Sequence, residues 1–127
     1  MKAKLFLGKL IVKKSRIHGY GVFAQKKIKK GELVEECCAL VFPGNDDCLS
    51  EYAFAFGRKA MVLTGYGCLY NHSDDHNLNH EVDIKNRIVT FKARREIKKG
   101  EEIFITYGSG WFKSRDREVK QVAKKKG

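Results

Sequence analysis

Lys98-Lys99-Gly100-Glu101-Glu102-Ile103-Phe104-Ile105-Thr106-Tyr107-Gly108 reads as a turn running into a strand. Its polar, glycine-containing start breaks regular structure, and the β-branched and aromatic residues after it favour a pleated backbone. The same grammar recurs upstream, where Lys29-Lys30-Gly31-Glu32 precedes Leu33-Val34-Glu35. Arg87-Ile88-Val89-Thr90-Phe91 alternates with period two, as a half-buried strand does. Leu10-Ile11-Val12 and Gly21-Val22-Phe23-Ala24 are further short strands, and Leu40-Val41-Phe42 stops at the breaker Pro43-Gly44-Asn45. Between about Leu49 and Met61 the pattern loosens and suits a short helix or turn, with Ser50 as N-cap. The expectation is a mainly β domain of many short strands with a short helical insert.

The chain has 127 residues, 43% of them hydrophobic, and one proline. That is the size of one domain with one core and one cleft. No apolar run approaches the ~20 residues that span a bilayer. The N-terminal apolar stretch is interrupted by Lys9 and no small-residue cleavage site follows, so a first strand is expected there rather than a signal peptide. An intracellular protein without membrane contact is the resulting expectation. Cys37, Cys38, Cys48 and Cys68 form no Cys-x-x-Cys pair. Cys37 and Cys38, if on a strand, point to opposite faces. Reduced thiols fit better than a disulfide framework.

The net charge is +11, and Lys113 to Lys126 hold seven Lys/Arg against Asp116 and Glu118. Residues 1–117 are read as one domain and 118–127 as a flexible basic tail. Such a tail is either a solvated end or a handle for nucleic acid or an acidic surface. No base-reading motif accompanies it.

Three segments carry chemistry. The first is Ser15-Arg16-Ile17-His18-Gly19-Tyr20-Gly21-Val22-Phe23-Ala24. Its two glycines allow the backbone to approach a ligand without Cβ atoms in the way. No third glycine and no helix follow, so it is no dinucleotide fingerprint. The second is Gly67-Cys68-Leu69-Tyr70-Asn71-His72-Ser73-Asp74-Asp75-His76-Asn77, and the third is Gly100 to Gly108. Alone, each has a bland reading: turns for the first two, a core or edge tyrosine for the third.

Together and in this order, they resemble the SET family of protein-lysine methyltransferases, whose G-x-G, N-H-S and G-E-E…Y-G motifs they match. The likeness extends from roughly Gly8 to Arg117. It is nearest to compact single-domain SET histone H3 lysine methyltransferases known from a large DNA virus of algae, on Val12-Lys13-Lys14-Ser15 and Gly31-Glu32-Leu33-Val34-Glu35-Glu36-Cys37. The resemblance implies a β-clip fold of small curled sheets with a C-terminal pseudoknot, and S-adenosylmethionine as cofactor. It implies that Gly19, Tyr20 and Gly21 line that cofactor, that Asn71 and His72 hydrogen-bond it, and that Tyr107 is the catalytic tyrosine. Tyr52, Ile105 and Trp111 would border the substrate-lysine channel. The bland alternatives for Tyr52 and Trp111 are core packing. A protein substrate follows, a histone tail in the family's usual case, with nucleus or chromatin as location if the host is eukaryotic and cytoplasm otherwise. A homodimer and a DNA or nucleosome contact through the basic surface are further expectations.

The chemistry suits these residues. A cofactor that already carries the reactive methyl leaves orientation and electrostatics to the protein. The attacking lysine must be neutral, against an ordinary pKa of about 10.4, and desolvation favours that form. No dedicated general base is evident. An aromatic wall accommodates a methylated ammonium by cation–π attraction.

The departures from the family pattern are Asp74 after N-H-S, His76 before Asn77, and Ile105 where some members place Phe or Tyr. An aliphatic Ile105 leaves room for more than one methyl, and His80 near the same pocket reduces it. His72, His76 and His80 recur every four residues, but Asn71 to Asp75 is a poor helix interior, so no metal is expected. Glu35, Glu36, Asp46, Asp47, Glu51, Asp74 and Asp75 are candidates for an acidic patch that would receive a basic tail. The rivals to an enzyme are a non-catalytic SET-fold module for a lysine-bearing peptide, and a plain basic nucleic-acid-binding β-domain.

Overall fold

A computed structural model describes residues 4–43, 53–56 and 59–107. Tyr52, Trp111, Cys48, Asp46, Asp47, Glu51, Ser50 and the basic tail lie outside these residues.

The alternating segments become strands. In order these are β1 (Leu10–Lys14), β2 (Tyr20–Ala24), β3 (Leu33–Phe42), β4 (Phe54–Phe56), β5 (Lys59–Leu63), β6 (Asn71–His72), β7 (Leu78–Asp83), β8 (Ile88–Ala93) and β9 (Glu102–Ile105). They form two sheets. One has the order β1-β2-β9-β6, the other β4-β5-β3-β8-β7. In β8, Val89, Phe91 and Ala93 are buried while Lys92 is exposed, so the period-two pattern is realised as one core-facing side. Val22 of β2 and Ile103 of β9 pair directly, and both are fully buried.

Two expectations are corrected. The region read as a short helix or turn contains the antiparallel hairpin β4–β5, and β5 pairs β3 from Ala39↔Leu63 to Phe42↔Ala60. The described residues contain no helix, and therefore none long and apolar enough to cross a membrane. The two short strands read at 33–35 and 40–42 are one ten-residue strand, with Cys37 buried and Cys38 exposed on opposite faces.

The two Ile-Lys-Lys-Gly-Glu turns are bonded to each other in matching fashion. Ile28 and Ile97 exchange N–H···O bonds of 2.8 and 2.9 Å. Gly31 N–H donates to Ala93 O and Gly100 N–H to Ala24 O, each at 2.8 Å. Both glycines adopt left-handed backbone, φ 82° and 86°, which a side chain would strain. The turns lie at the start of β9, whereas Tyr107 follows its end.

β9 is the element that positions the site. Antiparallel β2 pairs with its first half, at Glu102 and Ile103, and parallel β6 with its second, with Asn71↔Phe104 and His72↔Ile105. The chain after β6 then wraps the end of β9: Ser73 N–H donates to Ile105 O at 3.0 Å and Asn77 N–H to Phe104 O at 3.2 Å.

Candidate active site

Parallel pairing of β6 with β9 brings the second and third motifs side by side. Asn71 is 6% exposed, His72 5%. The Asn71 amide nitrogen faces three acceptors: Glu102 Oε2 at 2.9 Å, His18 O at 3.3 Å and Tyr20 O at 3.4 Å. Surrounded by acceptors, that atom must be the NH₂. It ties the first motif's turn to the other two.

Glu102 also accepts from the Ser15 hydroxyl, at 2.8 and 2.9 Å. Ser15 and Glu102 complete a polar knot that the motif spacing alone does not reveal. The two glycines serve different ends. A Cβ on Gly21 would meet Glu102 Oε2 and Asn71 Nδ2, so this glycine makes room for the chain's own knot. A Cβ on Gly19, where φ is 49°, would meet nothing within 4 Å. Only Gly19 opens outward, beside Tyr20, which is 68% exposed. Gly21→Ala is therefore expected to destabilise the fold by about 1–3 kcal/mol through overpacking, read as a lowered urea midpoint.

The His72 ring is fixed at both nitrogens. Nδ1 accepts the Tyr107 N–H at 2.9 Å, so the proton sits on Nε2, which donates to Asp74 Oδ1 at 3.0 Å. His72 thus holds the backbone of Tyr107, and their rings lie 5.4 Å apart. The Tyr107 hydroxyl donates to the Tyr70 carbonyl at 2.7 Å. Burial foremost, then the neighbouring Cys68 and Glu102, pushes its pKa up to about 12. At neutral pH it is a neutral hydroxyl whose hydrogen points at Tyr70.

Tyr107 and Ile105 border a cavity of about 170 Å³. Its walls are mainly apolar: Phe54, Met61, Leu63, Val89 and Phe91, with His80 and Thr106 as polar members. Phe54 meets the Tyr107 ring edge-on at 5.7 Å. His80, which the sequence places only near a pocket, lines it. Glu35 is not part of any acidic groove: it is 2% exposed. Asp74 and Asp75 are exposed, Asp75 lying 3.7 Å from Arg95. His72, His76 and His80 fall on a strand, a loop and another strand, and no three His, Cys, Asp or Glu among the described residues are placed to hold a metal.

Gly19, Tyr20, Gly21, Asn71, His72 and Tyr107 are thus one connected group, with Ile105 beside it. A curled β-fold whose last strand is clasped by an Asn-His loop and ends in a tyrosine at an apolar cavity defines a class of protein. Residues 19–108 match the model of the SET domain, and the chain belongs to that family. By that membership it is a protein-lysine N-methyltransferase.

A Schizosaccharomyces pombe protein named histone-lysine N-methyltransferase, H3 lysine-37 specific, is 26% identical over 97% of this chain and 90% of its own length. The crystal structure of a candidate histone methyltransferase from Plasmodium falciparum is 31% identical, with a TM-score of 0.70 over 84% of this chain and 99% of that one. A chain in an active polycomb repressive complex 2 is 25% identical, with a TM-score of 0.70 over 81% of this chain but 16% of its own length. These relatives lend nothing to the narrower likeness to viral proteins.

Proposed function

We propose that this enzyme transfers a methyl group from S-adenosylmethionine to the ε-amine of a lysine on a histone tail of the H3 type. The observation that carries the proposal is the placement of Tyr107, its main chain held by His72, beside Ile105 at the apolar cavity. The site residues fit such a cofactor. Gly19 opens to free space, and the carboxylates of Glu102 and Asp74 stand beside Asn71 and His72, where a sulfonium charge is favoured. In the proposal Gly19, Tyr20, Gly21, Asn71 and His72 hold the cofactor. Bound there, it supplies a methyl already activated for displacement.

The chain's own residues do the rest. The apolar cavity wall disfavours the lysine ammonium and so supplies the neutral nucleophile. Tyr107 offers its oxygen lone pairs to the polarised methyl and does not act as a base. Ile105 borders the lysine channel, and Tyr52 and Trp111 are assigned to its walls on resemblance alone. The S. pombe relative's name supports the histone H3 target, and a chromatin target implies a nuclear location.

A methylation assay on recombinant nucleosomes, with the modified lysine mapped by mass spectrometry, tests the target. Modification on an H3 tail is expected; modification confined to a non-histone protein overturns it. The pH profile is a second test. The rate is expected to rise as the substrate lysine deprotonates, with no descending limb near pH 10, because a Tyr107 pKa raised to about 12 keeps its hydroxyl protonated there. A fall at that pH in step with tyrosine ionisation would contradict the environment described. Ile105→Tyr, which fills the cavity, is expected to shift products towards monomethyl-lysine in the same mass spectra.

Chromatin also offers DNA. Lys29, Lys30, Lys98 and Lys99 are exposed together on the paired turns at the start of β9. If they neutralise duplex phosphates, changing all four to Glu makes the dependence of log affinity on log salt shallower, by about 0.9 per phosphate that is no longer neutralised. An unchanged slope would assign DNA binding to another part of the surface.

A further inference from the structure

Glu35 has no part in the chemistry proposed so far, yet it is among the most buried side chains, near the start of β3. A buried carboxylate is costly unless its oxygens are satisfied. Here Oε1 accepts the Tyr70 hydroxyl at 2.6 Å and Oε2 accepts the Tyr66 N–H at 2.8 Å. The two partners stand near opposite ends of the 64–70 turn segment that delivers the chain into β6. Tyr70 is itself fully buried, and its ring packs on Phe91 at 5.0 Å. Burial first, then the Glu35 charge, holds the Tyr70 phenol well above its ordinary pKa, so its hydroxyl is a fixed donor. The carbonyl of this same Tyr70 accepts the Tyr107 hydroxyl.

An unbroken chain therefore runs from Glu35 through the side chain and then the main chain of Tyr70 to the Tyr107 oxygen. An apolar pair of similar shape would remove the buried charge and hydroxyl together, at the cost of the acceptor for the Tyr66 N–H. What the polar pair adds is a fixed place for one carbonyl. We propose that Glu35 is a positioning residue: through Tyr70 it fixes the carbonyl that takes the Tyr107 hydrogen, and so aims the tyrosine's lone pairs at the reacting methyl. The inference rests on the reading of Tyr107 as catalytic.

The test is a double-mutant cycle on kcat at saturating substrate, with cofactor affinity and thermal midpoint measured alongside. Tyr70→Phe keeps the ring and removes one hydroxyl. It is expected to lower kcat about tenfold, since small misplacements near a reacting group are amplified in rate. Cofactor Kd should stay within about twofold, the usual independence of uncoupled groups. In a Tyr107→Phe background, where no hydroxyl remains to be aimed, the same change should cost nothing further. Glu35→Gln can accept from Tyr70 through its one amide oxygen, with its NH₂ then facing the Tyr66 N–H, so its activity should fall between wild type and Tyr70→Phe.

The pair Glu35→Leu with Tyr70→Phe leaves no buried carboxylate unpaired. It should stay folded and still lose kcat, which separates position from stability even if Tyr70→Phe alone fails to fold. Wild-type kcat in that folded pair, or an equal loss from Tyr70→Phe in both backgrounds, overturns the proposal. Wild-type kcat in Tyr107→Phe itself overturns the reading of Tyr107, and the positioning role falls with it.

Discussion

Substituting phenylalanine for Tyr107 is expected to lower kcat by about a hundredfold, the usual cost of deleting one preorganised polar group at a reacting centre. The substitution removes one oxygen and little else. Ring contacts with Phe54 and His72 do not involve that oxygen, and the backbone N–H still reaches His72 Nδ1. The Tyr70 carbonyl loses a donor, worth about 1 kcal/mol of stability. Cofactor affinity should therefore hold while turnover collapses. Single-turnover rates at saturating cofactor, read beside the thermal midpoint, separate the two. A variant that is stable, binds cofactor and keeps its turnover would remove Tyr107 from the chemistry.

Asn77→Ala is expected to cost about 2–4 kcal/mol of folding stability, because it strands two main-chain groups of β9 at once. The Asn77 side chain is fully buried. Its amide nitrogen donates to Glu102 O at 2.9 Å, and its amide oxygen accepts the Phe104 N–H at 2.7 Å. Its own main chain donates to Phe104 O and accepts from Arg94. One residue thus stands in for a neighbouring strand along β9. Asn77→Asp keeps the bond from Phe104 N–H but sets a carboxylate against the Glu102 carbonyl, so it should rescue little. Urea midpoints for the three proteins decide the matter; a loss below about 0.5 kcal/mol in Asn77→Ala, the range of ordinary surface changes, would contradict it.

Local alternation makes β2, β8 and β9 legible, because each has one face in the core. β3 is legible only at its apolar ends. Its middle, Glu35-Glu36-Cys37-Cys38, carries a buried charge whose partners Tyr66 and Tyr70 are some thirty residues away, and no local pattern announces such a pairing. The β4–β5 hairpin is hidden for a related reason: its place is set by pairing with the far end of β3. β7, with Leu78 as its one buried residue, is a strand by its neighbour β8 rather than by its own periodicity.

At the site, the resemblance to the SET motifs points to Gly19, Asn71, His72 and Tyr107, which the structure gathers. Gly21 is legible as a required glycine, and Glu102 and Asn71 fill the space that its missing side chain leaves. The roles of Ser15, Asn77 and Glu102 need the third dimension, although all three lie in the motif segments.

The most direct measurement is transfer of label from methyl-labelled S-adenosylmethionine to core histones, nucleosomes and a total lysate, with wild type beside Tyr107→Phe and His72→Ala. Label entering a histone band with wild type and lost in both variants is the predicted result. A folded wild-type protein that transfers no label and binds no cofactor would contradict the account, and would leave a SET-fold binding module in its place.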